Sequence, residues 1–255
     1  MKILFNWVLF IVVIAVNALA NILPINGYNT GQISGFYPNY FVPAGFTFSI
    51  WGIIYLSFLV YSITYTYYQL NQDKFPVINQ YLDKVSPWYW ATCILNASWI
   101  LAWHYLQVLL SVLIMLLFLF ALIQIFKSTQ KIAKEMNLIT RLSLVTPFSI
   151  YIGWISVATI ANVTALLVKY QWTGGIHPIY WSVIMIFVAV IAGVYFIQQF
   201  KTISYPLVIA WAIWGIKAAQ GAKSNLIETA SVIGLFILIS LTSKLTIQKA
   251  FSLRN

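Results

Sequence analysis

The stretch LSLVTPFSIYIGWISVATIANVTALLV, residues 142–168, carries no charged side chain and is long enough to cross a membrane as a helix. Within it Trp154, Ala158 and Asn162 recur at intervals of four, which stacks them on one helical face. The rest of the chain repeats the same character. Of its 255 residues 62% are hydrophobic and 7% are charged, with a mean hydropathy of +0.87, a balance foreign to a soluble domain of this length. Backbone polar groups in hydrocarbon must pair within their own segment, so apolar runs of about 20 residues become helices. A membrane barrel would instead alternate apolar and polar residues over about ten positions, and the sequence has no such alternation.

The fold class is therefore all-α, a polytopic transmembrane helix bundle. Eight spans are expected, at residues 3–23, 45–67, 88–103, 108–126, 142–168, 179–198, 205–219 and 229–245. The seventh is short and contains Lys217, which would have to snorkel to the interface. Connections are mostly brief, so consecutive helices should pack as antiparallel neighbours. The N-terminus admits a second reading: Lys2, an apolar stretch and Ala18-Leu19-Ala20 fit a cleavable secretory signal, which would leave seven spans. Its length and the early Trp7 favour a retained span.

Charge sets the expected orientation. With eight spans, Lys169, Lys217 and Lys223 fall on one side, and Lys2, Lys74, Lys84, Lys127, Lys131, Lys134, Arg141, Lys201, Lys244, Lys249 and Arg254 on the other. Cationic loops are retained inside, so both termini are expected to be cytoplasmic, in the cell membrane. A seventh segment that only dips into the bilayer would weaken that asymmetry. The net charge of +10 then reads as topology and contact with anionic lipid, chiefly at Lys127, Lys131 and Lys134. It gives no nucleic-acid surface, because no basic face or recognition module accompanies it.

Catalysis has little to work with. Asp73, Asp83 and Glu135 belong to loops, and Glu228 opens the last helix, where a carboxylate suits the dipole. His104 and His177 stand alone at span ends, so no metal-ligand spacing exists and no catalytic or metal-binding residue is assigned. Cys93 is single. Trp7, Trp88, Trp90, Trp172 and Trp181, near span ends, read as an interfacial belt. Trp211 and Trp214 have no evident role. The loop 24–43 lacks charge yet holds Gly27, Gly31, Gly35, Tyr28, Phe36, Tyr37, Tyr40 and Phe41, so it should fold down on the helix ends, as a lid or as part of that belt.

Three faces attract attention: Phe48, Trp51 and Tyr55; Asn96, Trp99 and Trp103; and Trp154, Ala158 and Asn162. If they converge they form an apolar pocket with flat walls and a few amides, suited to a planar hydrophobic ligand. The alternative is that Asn17, Asn96 and Asn162 simply join helices. The segment PNYFVPAGFTFSIW, residues 38–51, with Tyr55, the pair Asn96 and Trp99, and the Trp154, Ala158, Asn162 series resemble, in order and spacing, the tryptophan-rich sensory protein, or translocator protein (TspO/MBR), family. The likeness covers about residues 1–170, implying a five-helix core there and a C-terminal transmembrane extension at 171–255. Pro147 and Phe148 precede Trp154 at a wider spacing than the family pattern, and Tyr170 lacks the Lys or Arg that a sterol motif would need.

The resemblance implies an integral membrane receptor, carrier or sensor for a hydrophobic small molecule, a porphyrin or haem as ligand rather than required cofactor, and a homodimer as partner state alongside the lipid bilayer. Porphyrin degradation is a second reading. A secondary transporter of a small solute is a third, though neither an internal repeat nor a mid-span carboxylate supports it.

Overall fold

The computed structural model describes residues 1–132 and 136–252, and among these every regular element is helical. Lys134, Glu135 and Arg254, and the side chain of Lys131, lie outside the described residues. The helices are α1 (Lys2–Ile22), α2 (Thr30–Ser34), α3 (Ile50–Leu70), α4 (Pro76–His104), α5 (Val108–Ile132), α6 (Leu138–Leu144), α7 (Thr146–Lys169), α8 (Pro178–Phe200), α9 (Ser204–Gln220) and α10 (Asn225–Ser252). Short 3-10 turns at Ile25–Gly27 and Gly45–Ser49 flank the first connection.

The bilayer explains helices that are apolar on every side. On α5, Val112, Met115, Phe118, Leu122 and Ile125 are buried, while Leu109, Leu113, Leu116, Leu117 and Phe120 are about half exposed, a surface that only lipid accommodates. Among the described residues six segments are long and apolar enough to cross a membrane: Lys2–Ile22, Gly45–Leu70, Val108–Gln130, Leu138–Lys169, Pro178–Phe200 and Asn225–Phe251. The chain is thus an all-α polytopic membrane helix bundle. The third and seventh expected spans coincide with α4 and α9. Asn, Tyr and Trp dilute the apolarity of α4, and α9 has only 17 residues, about 25 Å of helix against a core of about 30 Å.

Three local differences from the expected spans have physical causes. The segment at 142–168 is broken at Val145, which closes α6 before Pro147 sits in the first turn of α7, where its missing N–H costs nothing. Phe48 falls on the 3-10 turn rather than on α3. Lys217 forms an ion pair with Glu228 of the first turn of α10, at 3.4 Å, instead of reaching out alone.

The chain divides into two compact units, residues 1–33 with 49–155, and 34–48 with 156–255. In the first, α4 packs on α5 and α1, α1 on α3, and α3 on α6. Polar pairs cross these contacts: Asn6 to Ser62 at 3.2 Å, Trp7 to Thr66 at 2.9 Å, Tyr68 to Thr140 at 2.7 Å and Tyr81 to Thr129 at 2.9 Å. Such pairs satisfy groups that lipid cannot. In the second, α10 packs on α8 and α9. A Cβ at Gly234 would come within 2.8 Å of Val190, so the glycine permits the close approach of α10 to α8.

Candidate functional site

Helical spacing on α3 puts Trp51 and Tyr55 one turn apart, and their rings stack with centroids 5.6 Å apart. Trp51 also meets Tyr151 and Trp154 of α7 in T-shaped contacts, each at 6.1 Å and nearly perpendicular, a geometry favoured by the ring quadrupoles. Tyr151 ties this aromatic group to α4, since its hydroxyl accepts from Asn96 Nδ2 at 2.9 Å. Asn96 in turn accepts from Asn17 Nδ2 of α1 at 2.6 Å. Asn96 has no exposed surface and Asn17 little. Helices α1, α3, α4 and α7 therefore meet at two amides and a phenol set among indoles.

Of the residues expected to form a ligand face, Trp51, Tyr55, Asn96 and Trp154 come together here. Trp99 and Trp103 lie farther along α4, stacked at 6.0 Å, and both are buried. Phe48, Ala158 and Asn162 belong to the second unit. Tyr151 was missed as a member, although three residues before Trp154 places it on the same face.

The end of α4 holds the segment that follows α1. Trp103 Nε1 donates to the Thr30 carbonyl at 3.2 Å, and Asn26 Nδ2 donates to the His104 carbonyl at 3.0 Å. His104 is fully buried, with Nδ1 3.0 Å from the Ile25 carbonyl and Nε2 3.1 Å from Thr30 Oγ1. Both ring nitrogens are thus engaged in holding the segment after α1.

In the second unit, residues 34–48 form a strap fastened to α9. Ala44 N donates to the Gly215 carbonyl, Trp211 Nε1 to the Thr47 carbonyl and Gln220 Nε2 to the Val42 carbonyl, all at 2.9 Å. Phe46 packs against Trp211 and Trp214 at 5.5 and 5.0 Å. A Cβ at Gly215 would fall 2.0 Å from Thr47 Oγ1, so only glycine lets the strap approach so closely. These contacts supply the role that Trp211 and Trp214 lacked in the sequence.

Beneath the strap a cavity of about 480 Å³ lies between the later turns of α7 and the start of α8. Pro38 and Phe41 cover it, and Trp172 and Trp181 line it, so these two indoles do more than mark an interface. Thr159, Val163 and Leu167 wall it from α7.

A family model described as TSPO-like protein matches residues 2–243, which takes in the C-terminal helices up to most of α10 as well as the helices before them. Comparisons with curated proteins and with solved structures give no match. The match spans nearly the whole chain and agrees with its apolar helices, so this all-α membrane protein belongs to the TSPO-like protein family.

Proposed function

We propose that the protein is a membrane receptor or carrier for a planar hydrophobic ligand of the tetrapyrrole class, held against the face made by Trp51, Tyr55 and Trp154. One observation carries the reading. Indoles and phenols from two helices meet at 5.6–6.1 Å beside the buried amide of Asn96. Flat rings offer stacking surface to a flat guest, and the amide of Asn96, bonded to Tyr151 and Asn17, fixes the helices that carry them. Membership of the TSPO-like family supports the same ligand class. The orientation that goes with this reading puts both termini in the cytoplasm, on the distribution of Lys and Arg.

The test is titration of the full chain in lipid nanodiscs with protoporphyrin, following tryptophan emission against empty discs. Saturable quenching at roughly micromolar porphyrin is expected. Quenching no greater than in nanodiscs holding an unrelated membrane protein would remove the reading.

A further inference from the structure

The α7–α8 cavity belongs wholly to the second unit and shares no residue with the Trp51 face. Val163 and Leu167 on α7, Met185 on α8 and Phe41 on the strap line it, together with Trp172 and Trp181, whose ring centroids are 5.9 Å apart. None of the described residues lining it is Asp, Glu, Lys, Arg or His.

Several of its polar groups are committed to the protein. The Asn39 amide closes its own turn, donating to the Tyr37 carbonyl and accepting from Phe41 N. Trp181 Nε1 donates to the Thr173 carbonyl at 2.6 Å, and the Thr164 hydroxyl to the Ile160 carbonyl at 2.8 Å. An ion placed here would lose its hydration without gaining a counter-charge. The space matches the size of pockets that enclose a whole small molecule, and the strap covers one side of it.

We infer that the α7–α8 cavity is a binding site for an uncharged, largely apolar small molecule, seated against residues 38–41 and the indoles of Trp172 and Trp181. This adds a second site to the one proposed above and stands on separate residues. The strap that roofs it is held by α9, so the C-terminal helices take part in ligand capture.

The experiment uses the full chain in nanodiscs and an uncharged probe, trifluoromethyl phenyl diazirine, with photoadducts mapped by peptide mass spectrometry. Adducts on 159–168 and 178–185 should saturate with probe and be competed by excess N-phenyl-naphthylamine. Val163→Trp, which fills the space, should lower their yield about tenfold, whereas Leu113→Trp on the lipid-facing side of α5 should leave it unchanged. Yields that rise linearly and resist competition would mean simple partition from the bilayer and would overturn the inference. If Val163→Trp fails to fold, the competition measured on the unsubstituted chain decides. Porphyrin takes no part, so either site can fail without the other.

Discussion

The Asn17 side chain donates to Asn96 Oδ1 at 2.6 Å, joining α1 to α4 inside an apolar bundle. Because Asn96 also donates to Tyr151, one amide holds three helices. Asn96→Ala should lower stability by about 1–2 kcal/mol, the sum of two interhelical bonds and a phenol left without its donor. A double-mutant cycle with Asn17→Ala, read by unfolding in mixed detergent micelles, should return a coupling of about 0.5–1.5 kcal/mol. Strict additivity would mean that the pair contributes nothing.

His104 fixes the segment after α1 through both ring nitrogens. His104→Phe keeps the ring volume and removes those bonds, so amide exchange in residues 25–33 should quicken by about tenfold. The peptide covering α5 should not respond. Equal exchange in the variant and the parent chain would show that the Asn26 and Trp103 contacts suffice.

The strap gives a sharper case, since its anchors lie far away in sequence. Gly215→Val drives a side chain into Thr47, and Gln220→Leu strands the Val42 carbonyl. The first should cost about 1–3 kcal/mol locally and the second about 1 kcal/mol. Limited proteolysis between residues 34 and 48 should speed up in that order. Resistance like that of the parent chain in both variants would contradict the fastening.

How much of this could be read beforehand follows from the range of the interactions. Long uncharged runs fix membrane helices because lipid leaves the backbone no other choice. Helical spacing likewise put Trp51 with Tyr55 and gave Trp154 and Asn96 inward faces. The break at Val145 was hidden, because Pro147 in a first turn leaves the apolar pattern intact. Trp211 and Trp214 stayed unexplained because their partners Phe46 and Thr47 are remote in the chain. The cavity was invisible for a different reason: Val163, Leu167 and Met185 have the same chemistry whether they face lipid or a guest. Tyr151 needed only the three-residue spacing to Trp154, but its polar partner Asn96 sits on another helix.

The proposed ligand face is tested most directly by comparing the protoporphyrin Kd of the parent chain with that of the Trp51→Phe, Trp154→Phe double variant in nanodiscs, with Trp88→Phe as control. Losing two indole contacts of about 0.5–1.5 kcal/mol each should weaken binding about tenfold, while the control keeps the parent affinity. A double variant that binds as tightly as the parent chain would contradict the account.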